Sequence, residues 1–317
     1  MHRYLNTLCL APLALGLAAP AAADFPEREV RLVVNYGAGG NTDVAARALA
    51  QGMEKALGQT VVVENRPGAL GTLGPAYVAR QKPDGYTVGV VTYSTIAIAP
   101  HLMDVPYGMD DFDFVSGFGR YRYGIAVRAD AGYDSIDDLV AAAKEGKGVF
   151  FGAPSAPNNL ALFELGRATG GRFEQILYKS GTETVTALLG GQVDVIAQNP
   201  SDILPHIQSG KLKLLASASP MRWPEAPDVP TLREAGYPVE IDSWLGVAVP
   251  RGTPADARER LQAAAIAAME NETVRKNFVS LGVDPATLSG QEYADVLREG
   301  YDTMGKAIEA AGLPRMQ

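Results

Sequence analysis

The sequence predicts an α/β protein of two domains, the second inserted into the first. Short apolar runs alternate with helix-periodic runs from Val30 to about Ser219, which is how strands joined by crossover helices read. Two stretches, near 112–123 and 216–223, read as crossings between domains, and two crossings make one insertion. The 317-residue chain is also of the size at which one hydrophobic core gives way to two.

The first 23 residues read as a secretory signal peptide. Arg3 supplies the n-region charge, 8–19 form the apolar h-region, and Ala21-Ala22-Ala23 offers an Ala-x-Ala cleavage site before Asp24. The single cysteine, Cys9, lies inside this segment, so 317 less 23 leaves a cysteine-free chain of 294 residues that must be held by its own core. Loss of Arg3 takes the net charge from −8 to −9, which argues against nucleic acid or an anionic membrane as partner.

The elements then follow in order. A buried strand at 30–35 runs through Tyr36, Gly37, Ala38, Gly39, Gly40 and Asn41 into a helix at 42–57, for which Thr42 or Asp43 is the expected N-cap. Further strands are expected at 60–64, 87–92, 124–128, 149–152, 175–178, 193–198 and 212–217, with a pair of runs around 239–249. Helices are expected between them at 71–80, 135–145, 158–169, 182–189 and 200–209. From Pro254 the tail reads as helical, broken near Gly282 and Pro285. The expected division is 24–120 and 222–317 for the first domain and 121–221 for the second, with a cleft outside the carboxyl ends of the strands.

The glycine loop is the main chemical signal. It takes a strand directly into a helix N-terminus, which aims backbone N–H groups at one point and suits an anion. It lacks the third glycine of a dinucleotide fingerprint and the Gly-Lys-Ser/Thr of a phosphate loop. Three more junctions have the same form: Tyr93-Ser94-Thr95, the Ser155 to Asn158-Asn159 segment, and Ser180-Gly181-Thr182. Each places small hydroxyl or amide groups ahead of a helix, donors suited to a carboxylate. Catalysis finds little support. His101 and His206 stand alone, no Gly-x-Ser-x-Gly elbow is present, and no metal set can be assembled from the cysteine-free chain.

The residues from Phe25-Pro26 through Val30-Arg31-Leu32-Val33-Val34 and the Gly37–Asp43 loop carry a resemblance that continues in Leu57-Gly58-Gln59, Glu64-Asn65-Arg66-Pro67-Gly68 and Lys82-Pro83-Asp84-Gly85-Tyr86. It extends through Tyr178-Lys179, Leu188-Leu189-Gly190-Gly191-Gln192-Val193-Asp194, Trp244-x-Gly246 and Pro250-x-Gly252-Thr253-Pro254. Over essentially the whole mature chain the sequence resembles the extracytoplasmic receptors of tripartite tricarboxylate transporters, the Bug-type solute-binding proteins.

That resemblance implies a periplasmic-binding-protein fold of the Venus-flytrap type 2 kind, with two crossover segments. It implies a monomeric periplasmic receptor without cofactor or catalytic step, delivering a small organic acid to the membrane permease of a tripartite transporter. Tyr36, Gly37, Ala38, Gly39, Gly40, Asn41, Thr42 and Asp43, with Tyr93, Ser94 and Thr95, would hold one carboxylate. Ser155, Asn158, Asn159, Ser180, Gly181 and Thr182 would read the rest of the solute. The alternatives are a binding protein of another transporter or a sensor, and a secreted α/β enzyme acting on a small acid.

Departures from the family pattern fall in the second domain. Pro154-Ser155-Ala156-Pro157 and Asn158-Asn159 replace a Gly/Ser-rich loop followed by Ser-His, and Lys179-Ser180-Gly181 with Glu183 replaces Lys-Gly-Gly and a proline. An Asn pair donates and accepts, and an acid at 183 facing the cleft would disfavour a second carboxylate, so the distal end of the solute is expected to be less charged than a tricarboxylate. In the first helical turn, however, Glu183 is equally suited to face solvent.

Overall fold

A computed structural model describes residues 25–153, 156–178, 181–310 and 315. The expected signal peptide lies outside the described residues, as do Ser155 and Ser180. Two sheets organise the chain. The first holds β1 (Val30–Val34), β2 (Val61–Asn65), β3 (Thr87–Thr92), β4 (Phe112–Tyr121), β10 (Ser243–Pro250), β11 (Val283–Asp284) and β12 (Leu288–Ser289), in the order β11-β4-β10-β3-β1-β2 with β12 also on β4. The second holds β5 (Gly124–Arg128), β6 (Val149–Ala153), β7 (Phe173–Leu177), β8 (Val195–Gln198) and β9 (Leu212–Ser217), in the order β7-β6-β8-β5-β9.

Within each sheet the strands joined by helices are parallel, β2-β1-β3 in the first and β7-β6-β8 in the second. The strand that enters each sheet from the other runs antiparallel to its neighbours: β5 against β8 and β9, and β10 against β3 and β4. The sheets are therefore mixed, because a chain that crosses over arrives from the opposite end.

The chain does cross from the first sheet to the second within 112–123, but most of that stretch is strand and not connection. Its first ten residues form β4, hydrogen-bonded to β10 along its length, and only Arg122 and Tyr123 separate it from β5. Gly117 and Gly119 are strand residues required by packing: a Cβ on Gly119 would stand 2.9 Å from the Phe278 ring, and one on Gly117 would stand 3.1 Å from the Leu288 Cβ. The runs around 239–249 give one strand, β10, rather than two. Inside it, Gly246 makes room for the ring of Tyr293, whose hydroxyl donates to the Val91 carbonyl at 2.7 Å.

Helices cover both sheets: α1 (Asn41–Leu57), α2 (Leu73–Val78), α3 (Ala99–Leu102), α8 (Ala255–Glu270), α9 (Glu272–Ser280) and α10 (Gly290–Ala310) on the first, and α4 (Ile136–Lys144), α5 (Ala156–Thr169), α6 (Gly181–Leu189) and α7 (Pro200–Gln208) on the second. The break expected near Gly282 and Pro285 holds the short strands β11 and β12. Helix α1 turns Ala45, Ala46, Leu49, Met53 and Leu57 inward. Gly52 lets α1 approach α8 closely, since a Cβ there would lie 2.8 Å from the Cα of Ala268. The Ala-rich inner face of α8 follows from the same closeness.

The two passages between the sheets are tied by ion pairs. Arg122 is buried; its guanidinium meets Glu225 at 2.6 and 3.1 Å and Asp284 at 3.1 Å. Arg120 makes a two-pronged pair with Asp242 at 2.5 and 2.6 Å. Burial acts against the Glu225 charge, but the Arg122 hydrogen bonds outweigh it and hold that carboxyl below its ordinary range.

Candidate ligand-binding cleft

Helix α1 begins at Asn41, with Gly40 as an extended N-cap that offers no side-chain bond. Neither Thr42 nor Asp43 is the cap, as their sequence positions suggested; both lie inside the first turn and are buried. No acceptor among the described residues takes the amide hydrogens of Asn41, Thr42 and Asp43. Ahead of them Gly37, Ala38, Gly39 and Gly40 are exposed, and Gly39 takes φ +81°, a conformation that favours glycine. Exposed backbone donors thus lead into the positive end of a 17-residue helix.

Asp43 is a strut of this loop. Its carboxylate accepts from the Gly39 amide at 2.8 Å, Asn65 Nδ2 at 2.7 Å and Arg47 Nε at 3.0 Å. Burial opposes its charge, and those three donors more than compensate, so the carboxyl sits below the usual range. Asn65 also donates to the Tyr36 carbonyl at 2.9 Å, fastening the loop to the end of β2.

Hydroxyl groups line the space beside the loop. The Tyr36 hydroxyl bonds to Ser94 Oγ at 3.1 Å, and Ser94 Oγ to Thr92 Oγ1 at 2.8 Å. Thr42 Oγ1 bonds to the Tyr121 hydroxyl, and Tyr123 bonds to Ser243 and Asn199. Burial raises the pKa of Tyr36, Tyr121 and Tyr123 and outweighs the neighbouring hydrogen bonds, which act to lower it, so all three remain neutral. Tyr93 turns away from this wall, and Thr95 meets it only through Thr92 Oγ1, at 3.2 Å. Thr95 is buried and its hydroxyl donates to the Thr92 carbonyl at 3.0 Å. Tyr93 packs under Gly300 and lines a separate cavity of about 650 Å³ between α5, α10 and residues 238–242. Burial, reinforced by Asp242 and Glu299, pushes its hydroxyl up to about 12.

The second sheet faces the loop with the first turns of α5, α6 and α7. Asn158 is buried and turned inward: its Nδ2 donates to the Ala197 carbonyl and, at 3.2 Å, to Gln198 Oε1, so it positions Gln198. Asn159 Oδ1 and Gln198 Nε2 are buried with no hydrogen-bond partner among the described residues. Gly181 is half-buried, while Thr182 and Glu183 are exposed. The two halves touch where Asn41 Nδ2 donates to Ser201 Oγ at 2.9 Å, and Gly282, at φ +68°, leaves room for Pro200.

Sequence reasoning missed Tyr121, Tyr123, Gln198, Ser201 and Asp202. The tyrosines were hidden in the supposed connection. A signal existed for the others, since 198–202 is a strand end leading into a helix, the same form as the four junctions that were singled out.

Two α/β lobes, each presenting strand carboxyl ends and helix N-termini to the other, define a two-domain binding protein of the Venus-flytrap kind. The chain belongs to the tripartite tricarboxylate transporter family of receptors, whose TctC model matches residues 45–313. It is 35% identical over 295 residues to protein BugT of Bordetella pertussis, covering 90% of each chain. Among solved structures it is similar to the Rhodopseudomonas palustris protein Rpa4515 with adipate, at 28% identity and TM-score 0.81, covering 91% of this chain and 99% of that one. It is also similar to MatC of Rhodopseudomonas palustris with bound malate, at 28% identity and TM-score 0.77, covering 90% of this chain and 100% of that one. No helix among the described residues is long and apolar enough to cross a membrane.

Proposed function

We propose that this protein is a periplasmic receptor, exported through its N-terminal signal peptide, that captures a carboxylate-bearing solute between its lobes. It hands the solute to the permease of a tripartite transporter and performs no chemistry on it. The observation that carries this reading is the α1 N-terminus: unaccepted amides at Asn41, Thr42 and Asp43 stand beside the neutral hydroxyls of Tyr36, Thr42 and Ser94. Such a site takes an anion through oriented dipoles rather than a fixed cation, which lets it release the solute again. The solutes named for two structural neighbours, adipate and malate, are both carboxylates.

In this reading one lobe comprises residues 24–120 and 222–317 and the other 121–221, and the lobes close about the two passages. Tyr36–Asn41 and Thr42 hold the first carboxylate, while Asn159, Gly181 and Thr182 belong to the opposite wall. The test is calorimetric titration of refolded, ligand-stripped protein with mono-, di- and tricarboxylates, followed by product analysis. Saturable binding with the solute recovered unchanged supports the receptor; conversion of the solute supports an enzyme; and no binding of any carboxylate by folded protein removes the reading.

A further inference from the structure

Asp202 stands in the first turn of α7, next to Ser201, the residue that Asn41 reaches from the opposite lobe. Its carboxylate lies across the start of α6. Gly181 is what permits this, since a Cβ there would stand 3.1 Å from Oδ1 and collide with Oδ2. An acid in the first turn of a helix is ordinarily explained by capping. Asp202 does not cap: among the described residues no backbone or side-chain group donates to its carboxylate, and neither His206, one turn further on, nor any arginine or lysine forms an ion pair with it. Burial without a compensating donor raises its pKa, the opposite of what befalls the struts Asp43 and Glu225.

The acid therefore has the position of a specificity group and not of a structural one. Glu183, the acid that the sequence offered for this role, is exposed on α6. Building on the receptor reading above, we propose that Asp202 selects the far end of the solute, favouring a carboxylate that carries a protonated amine at its distal end over one that carries a second carboxylate. The first carboxylate rests on the α1 N-terminus and the amine donates to Asp202. A distal carboxylate would instead meet a like charge, with no cation paired to it among the described residues. Gln198 Nε2 and Asn159 Oδ1, both buried and without a partner among the described residues, supply one donor and one acceptor for polar atoms between the two ends.

The test uses the mature protein, stripped of ligand by unfolding and refolding, titrated near pH 7 with matched pairs of four to six carbons: 4-aminobutanoate and succinate, 5-aminopentanoate and glutarate, 6-aminohexanoate and adipate. At least one amino acid should bind about tenfold or more tightly than its dicarboxylate partner. Asp202→Asn should erase or reverse that ratio, by weakening the amine and strengthening the dicarboxylate, and Asp202→Ala should act in the same sense. Both variants should melt no lower than the parent, because no hydrogen bond from a described residue is lost. A dicarboxylate preferred by the parent protein, or a ratio that Asp202→Asn leaves unchanged, overturns the inference. Binding of other carboxylates with none of the six bound also overturns it and leaves the receptor reading standing; no carboxylate bound by folded protein removes both.

Discussion

The side-chain amide of Asn41 donates to the hydroxyl of Ser201 at 2.9 Å, joining the first turn of α1 to the first turn of α7 across 160 residues of chain. Helix N-termini from both lobes are thereby brought to the same point, with Pro200 seated against Gly282 beside them. A bond of this kind exists only while the lobes are together, so it favours the closed arrangement.

Asn41→Ala should therefore weaken solute binding by about 2- to 10-fold, the equivalent of the ~0.5–1.5 kcal/mol net worth of one hydrogen bond, chiefly through faster dissociation. Ser201→Ala should give a similar loss, and the double variant little more. Stopped-flow dissociation with either single variant, and solution scattering with and without solute, would check this. Additive losses would mean that the two residues act separately.

Arg122 couples the passages between the lobes to the edge of the first sheet. Arg122→Met leaves Glu225 and Asp284 without their cation, and removing one partner of a buried pair costs up to about 3–5 kcal/mol. Both carboxylates retain some solvent access, which lowers the expected loss to roughly 1–3 kcal/mol. Chemical denaturation at neutral pH would measure it. Glu225→Gln should cost less, because Arg122 keeps Asp284.

Asp43 should give the fold an acid-sensitive element. Its folded pKa is depressed, so its contribution is fully present above the unfolded value of about 3.9 and is lost as pH falls from there through the lower folded value. Asp43→Asn should therefore be less stable than the parent at neutral pH, and the gap should narrow in acid. Melting curves between neutral pH and about pH 3 would decide; a constant gap would show that the loss is steric and not electrostatic.

The parallel cores of both sheets, six helices of the two lobes and the glycine loop were legible in the sequence because periodicity and turn chemistry are local. What was not legible depends on contacts between distant segments. The glycines of β4 are explained by Phe278 and Leu288, more than 150 residues away, so the strand inside the 112–123 crossing had no local signature. Asp43 looked like a cap because nothing local shows that Asn65 and Arg47 claim its oxygens. Tyr93 looked like its neighbour Ser94, and only the packing of α10 separates the directions of their side chains. Asp202 stood at a strand-to-helix junction of the familiar form, but its lack of a partner among the described residues is a property of the fold.

Gly39 offers the most direct test of the anion site. Its amide is fixed by Asp43 at 2.8 Å, its φ is +81°, and a Cβ would meet nothing within 4 Å. A substitution there is opposed by backbone strain and not by crowding, and Asp is among the side chains that tolerate this conformation best. Gly39→Asp should lower stability by no more than about 1–2 kcal/mol while placing a negative charge beside the donors meant for the solute carboxylate. Binding should fall below detection in calorimetry, with circular dichroism unchanged. Gly39→Asn separates the two effects: it imposes similar backbone strain without the charge, and should retain most of the affinity. Equal losses in both variants would assign the effect to loop geometry, and unchanged affinity in Gly39→Asp would reduce the loop to a structural turn.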